Sequence, residues 1–196
     1  MISEYLASEP VQEALKVLRE QFPLAIWETV YVTVLSTFFA TIIGLPLGVL
    51  LVAGENNKII RVPKGLLHAL NVIINLLRSV PFLILMIMVF PLTRLIVGTV
   101  GGTPASVVPL VIAAFPFIAR LVEGSLREIN PNIIEAAQSM GASPFQIIVK
   151  VMIPESVPSL ISNATIAITT VLGYSAMSGI IGGGALGKIA INYGYH

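Results

Sequence analysis

The sequence predicts an all-α fold, a polytopic bundle of helices that crosses a membrane several times. Three observations point there. Of the 196 residues, 56% are hydrophobic and only 11% charged, against about 25% charged in a soluble domain, so the charges are too few to clothe a water-facing surface. Four stretches supply the roughly 20 mainly apolar residues that a spanning helix requires. They lack the period-2 alternation of barrel strands, and a helix satisfies its own backbone groups in lipid. Lastly, lysine and arginine alternate between the intervening loops in the way that a multi-pass topology demands.

Residues 1–23 read as a polar lead-in or surface helix. Glu4, Glu9, Glu13 and Glu20 outnumber Lys16 and Arg19 there, and this acidic start excludes a secretory signal peptide. The first span, 24–53, carries one charge, Glu28, near its start beside Trp27. Gly44 and Gly48 flank Pro46 within it, a small-residue spacing that suits close helix contact. The second span, 66–97, contains Arg78, Arg94 and the break Ser79-Val80-Pro81. The third covers 104–129 and the fourth 159–181. Where the third leaves the bilayer, Arg120, Glu123 and Arg127 share one face. Glu123 and Arg127 form an i,i+4 pair there, worth about 0.2–0.5 kcal/mol in an isolated helix.

Lys58, Arg61 and Lys64 place loop 54–65 in the cytoplasm, and the uncharged loop 98–103 belongs outside. Arg120, Arg127 and Lys150 return the third connection to the cytoplasm, which leaves the acidic N-terminus outside.

Two spans carry polar stripes. His68, Asn71, Asn75 and Arg78 lie within about 80° of one helical face. Ser162, Thr165, Thr169, Gly173 and Ala176 share a face of the fourth span. Small and hydroxylated residues permit close helix contact, whereas ionisable groups inside a membrane usually face a cavity. Both readings stand for the fourth span, while Arg78 is expected in the bundle interior.

Enzyme chemistry finds no support. The chain has no cysteine and no aspartate, which removes disulfides and thiolate metal sites. His68 and His196 are too far apart in sequence to suggest a metal site or a dyad. Residues Gly182 to Gly187 match G-x-G-x-x-G, but a span precedes them and no acidic residue follows Glu155, so the dinucleotide context is missing. Gly182 to Lys188 match G-x-x-x-x-G-K, yet Ile189 stands where a Mg²⁺-binding hydroxyl belongs. We expect no catalytic residue, no metal and no cofactor.

The loop 130–158 holds the clearest local signals. Asn130 is a helix N-cap followed by Pro131 at the first position, and Gly141 suits the left-handed stop. Ser143 opens a second helix with Pro144 first and Gln146 completing a capping box, and Pro154 is expected to end it. Two short helices on the cytoplasmic side follow from this punctuation.

Glu135-Ala136-Ala137, three residues, Gly141, nine residues, then Val151-Met152-Ile153-Pro154 resembles the EAA loop of ATP-binding-cassette (ABC) importer permeases. Only Val151 and Ile153 depart from that pattern, both conservatively. The resemblance implies a type I ABC importer permease fold, with this hairpin docking into a groove on a separate cytoplasmic ATPase subunit. Glu135, Ala136, Ala137, Gly141, Ser143, Pro144 and Pro154 would form the coupling loop. The small residues would permit close approach, and Glu135 would supply a polar anchor. ATP hydrolysis would belong to the partner, so the chain itself is not an enzyme.

A narrower likeness runs through Trp27-Glu28-Thr29, Arg78-Ser79-Val80-Pro81-Phe82, 116–123, Gly173-Tyr174-Ser175-Ala176-Met177 and the tail 183–195. These segments are similar to the methionine importer permease family. That likeness implies import of L- and D-methionine across the bacterial cytoplasmic membrane. The expected partners are a second permease copy, two ATPase subunits and an extracytoplasmic methionine-binding lipoprotein. The family has a fifth span after the Tyr193-Gly194-Tyr195 tail. Its absence here reads as truncation.

Four or five helices enclose a pathway poorly, so a symmetric dimer with the passage on its axis is the simplest assembly. The expected gate or pathway residues are Tyr174, Ser175, Met177 and Arg78, with the flexible thioether of Met177 suited to sealing a passage. Two alternatives stand beside this reading. A secondary transporter lacks mid-membrane carboxylates for a coupling ion. A permease for another small nutrient, such as a polar amino acid, would keep the loop and change the pathway.

Overall fold

The computed structural model describes residues 9–55, 59–181, 183 and 185–194. Glu4, Lys58, Gly182, Gly184, Tyr195 and His196 of the sequence argument lie outside them. Every regular element among the described residues is a helix, with short connections between them. A lead-in helix α1 (Glu9–Glu20) meets α2 (Phe22–Ala53). Next come α3 (Lys64–Ser79), α4 (Phe82–Met88) and α5 (Phe90–Val97), followed by α6 (Thr103–Arg127). The hairpin is built from α7 (Pro131–Ser139) and α8 (Pro144–Ile147). A wide π turn (Ile148–Met152) then leads into α9 (Ile153–Met177). A 3₁₀ turn (Ser178–Ile181) precedes the last helix, α10 (Ala185–Gly194).

Helices α2 and α6 run parallel at the centre. At about 1.5 Å per residue, the 32 residues of α2 exceed the thickness of a bilayer core. Gly44 and Gly48 allow the contact: an added Cβ would lie 2.8 Å from the Phe115 carbonyl oxygen and 2.6 Å from that of Ala119. The expectation of close helix contact at this pair is met, with Pro46 carried inside the helix. Helix α9 packs antiparallel to α6 through Asn163, whose amide donates to the Leu121 carbonyl at 3.2 Å and to Ser125 Oγ at 2.7 Å. One apolar core of mostly small residues runs from Ala40 and Ala114 through Val122 and Leu126 into the hairpin at Ala137, Ile147 and Met152.

Among the described residues, three helices are long and apolar enough to cross a membrane: Phe22–Ala53, Thr103–Arg127 and the continuous run Pro144–Ile180. A fourth crossing results if the bent pair Lys64–Ser79 and Phe82–Met88 is one broken span. The stretch around 66–97 is different. Helix α3 ends at Ser79, the chain turns through 111° and α4 departs from Phe82. Pro81 disfavours helical geometry at the residue before it, and Val80 is extended, with φ −80° and ψ 127°.

One expectation is corrected. Pro154 does not end the second hairpin helix, because the helix passes through it into α9. The π turn just before it makes i→i+5 bonds, with the Ile153 N–H reaching the Ile148 carbonyl. That widening lets the backbone absorb a residue with no N–H and a bulky ring, which would otherwise break the ladder.

Candidate functional site

The hairpin is fastened at the predicted caps and at the glycine stop. Asn130 Oδ1 accepts the Asn132 N–H at 3.0 Å, and Pro131 takes the first helical position. Gly141 has φ +79°, the left-handed geometry that ends a helix cheaply only with glycine. Ser143 and Gln146 bond reciprocally, the Ser143 N–H to Gln146 Oε1 at 2.8 Å and the Gln146 N–H to Ser143 Oγ at 3.4 Å. Buried Ala137 seats the hairpin on the bundle core, whereas Ala136 and Glu135 face outward. The Glu135 carboxylate makes no hydrogen bond or ion pair among the described residues, and it borders a cavity shared with Glu55, Arg127 and Gln138.

Two hairpin residues escaped the sequence reading. Met140 is 81% exposed and Phe145 74% exposed, so they present apolar surface on the element assigned to the water side. The available signal was their position, one before Gly141 and one after Pro144, where small or polar residues would serve a free loop.

Behind the hairpin lies a charge cluster. Arg127 donates to Glu123 Oε1 at 2.9 Å and to Glu55 Oε2 at 2.7 Å. Glu123 is nearly buried and also accepts from Arg120. The other Nη of Arg120 reaches Asn71 Oδ1 at 2.7 Å and Asn75 Oδ1 at 3.0 Å. Part of the predicted polar stripe on α3 is therefore the docking face for one arginine of α6. His68 and Arg78, from the same stripe, are exposed, and Arg78 makes no hydrogen bond or ion pair among the described residues.

The proposed gate residues do not share one surface. Tyr174 stacks on Phe82 with centroids 4.8 Å apart and planes at 5°. Ser175 is buried and donates to the Leu172 carbonyl at 2.7 Å. Met177 is exposed, as are Ser162, Thr165, Thr169, Gly173 and Ala176. The hydroxyls on that open face donate to their own helix, for example Thr169 to the Thr165 carbonyl at 3.0 Å, so they need no further acceptor.

At the opposite end of the bundle, Glu28 is not a stray charge. One carboxylate oxygen accepts the Thr103 hydroxyl at 3.0 Å and the other the Ala185 N–H at 2.7 Å, while Thr29 Oγ1 accepts the Leu186 N–H at 3.0 Å. The side chains of α2 thus satisfy donors left open at the start of α10, where a negative charge is favoured.

The fold is thus a helical membrane bundle that carries a capped hairpin with an exposed apolar tip. The family model for binding-protein-dependent transport system inner membrane components matches residues 44–194. The chain belongs to this family, the permease components of ABC importers, and has the type I importer fold.

Among relatives, a probable D-methionine transport system permease protein MetI from Vibrio cholerae is 47% identical over 172 residues, covering 88% of this chain and 76% of that one. The D-methionine transport system permease protein MetI of Escherichia coli is 49% identical over 154 residues, 79% of this chain and 70% of its own. An inward-facing structure of the MetNI methionine ABC transporter superposes at TM-score 0.83 and 44% identity, covering 96% of this chain and 83% of that chain. An amino acid ABC transporter crystallised with histidines, at 19% identity and TM-score 0.71, shares the fold.

Proposed function

We propose that the chain is the membrane-spanning permease of an ATP-driven importer for methionine, the L- and D-enantiomers alike, in the bacterial cytoplasmic membrane. Two copies form the pathway on their common axis, and two cytoplasmic ATPase subunits drive it. An extracytoplasmic methionine-binding lipoprotein delivers the substrate. The observation that carries this reading is the hairpin: capped at both helices, rooted in the bundle core through Ala137, and tipped with exposed Met140 and Phe145. Small Ala136 and left-handed Gly141 leave room for a partner's surface, and Glu135 holds an unspent carboxylate for it. The names of the relatives supply the substrate class.

In this reading, closure of the ATPase dimer draws the two hairpins together. Each moves α9 directly, because the π turn joins hairpin to span without a loop. The open face of α9, from Ser162 to Met177, lines the passage or meets the second copy. Arg78, whose charge is costly in lipid unless it faces water or a partner, lines the same passage from α3. Tyr174 stands behind the gate and holds Phe82 at the α3–α4 bend.

Uptake of labelled methionine in cells lacking their own system tests this. The chain together with its cognate ATPase should restore uptake, and the chain without the ATPase should not. Uptake that ignores the ATPase, or ATP-dependent uptake of other amino acids without methionine, would overturn the proposal.

A further inference from the structure

The attachment of α3 to the rest of the bundle is thin. Among its described residues only Ile74 is buried, packed with Leu51 and Ala119, and Leu67 and Leu70 lie half-buried against the same small cluster. Leu66, Val72, Ile73 and Leu76 are left exposed. Among the described residues, every hydrogen bond between α3 and α6 comes from one side chain, Arg120, to the carboxamides of Asn71 and Asn75 and the Asn71 carbonyl. That guanidinium is in turn held by Glu123, which also holds Arg127. Arg127 bonds Glu55 and lines the cavity that the hairpin closes with Ile134, Glu135 and Gln138.

The geometry points to Arg120 as a positioning residue that makes α3 follow the hairpin. We infer that displacement of the hairpin reaches α6 through the short link Glu128–Asn130, and reaches α3 through Arg120 and its two asparagines. Three features fit a clamp that loads and releases rather than a permanent rivet. Its acceptors on α3 are neutral amides, which bind a guanidinium less tightly than a carboxylate does. Two arginines share the Glu123 carboxylate, so movement of Arg127 changes the hold on Arg120. Arg120 Nε is buried without an acceptor, so the guanidinium is not fully satisfied in this arrangement.

The inference rests on the importer reading, and two measurements keep the two separable. In the first, the permease and its ATPase subunits are reconstituted in proteoliposomes with labelled methionine, and transport per ATP is compared across variants. Asn71→Leu with Asn75→Leu, and separately Arg120→Met, should lower that ratio about tenfold while ATP hydrolysis stays near the native rate. An unchanged ratio, or transport and hydrolysis falling together, overturns the clamp. Should Arg120→Met fail to assemble, the asparagine pair decides. Failure of the unaltered chain to couple ATP to uptake would instead overturn the importer reading.

The second measurement needs no transport. The chain has no cysteine, so spin labels at Leu76→Cys on α3 and Gly124→Cys on α6, diluted with unlabelled chain, report the gap between the helices. The gap should be narrowly distributed with native Asn71 and Asn75, and broad in the double leucine variant. Equal distributions overturn the inference.

Discussion

A Cβ placed on Gly48 would lie 2.6 Å from the Ala119 carbonyl oxygen and 2.7 Å from Val122 Cβ, both on a neighbouring helix that cannot swing aside. Gly48→Ala should therefore cost about 1–3 kcal/mol, as overpacking does, and lower the unfolding temperature in detergent. Gly124→Ala is the matched control. Nothing lies within 4 Å of its added Cβ, and alanine favours a helix interior by about 1 kcal/mol over glycine, so stability should hold or rise. In the hairpin, Ser143→Ala removes half of the capping box and should cost about 1 kcal/mol, read as the same drop in unfolding temperature. Arg120 shows why residue-scale roles were only half legible. Its own stretch and the Asn71–Asn75 stripe each stood out from the apolar background. Nothing local says that residues 45 or 49 positions apart meet.

The hairpin could be read from sequence at the scale of elements because its signals act over three or four residues: an N-cap, a first-position proline, a glycine stop and a capping box. Its far end could not. A proline normally ends a helix, and a π turn that accommodates one has no comparable local signature. The second hydrophobic stretch is a similar case. Ser79-Val80-Pro81 marked a break, but whether a break kinks a span or turns it through 111° depends on what the next helix packs against. Here Phe82 and Met86 join Val32 and Leu110 in a buried cluster, which fixes α4 across the end of α3. Because Met140 and Phe145 touch little of their own chain, Met140→Ser with Phe145→Asp should leave the unfolding temperature unchanged. Binding of the ATPase subunit, measured by co-purification or titration, should fall by at least about tenfold, as for residues at the centre of an interface.

For the molecule as a whole, fold class and hairpin were legible from hydropathy, loop charge and motif spacing. The arrangement of spans was not, because parallel packing of α2 on α6 is a long-range fact settled by small residues meeting. The account depends on the hairpin lying in the cytoplasm, where a nucleotide-driven partner can push it. The most direct test uses the absence of native cysteine. A single Phe145→Cys is treated with a membrane-impermeant maleimide, in intact spheroplasts and again after permeabilisation. Labelling should appear only once the membrane is opened and be blocked when the ATPase subunit is bound. Labelling of the intact spheroplasts would put the hairpin outside and contradict the account.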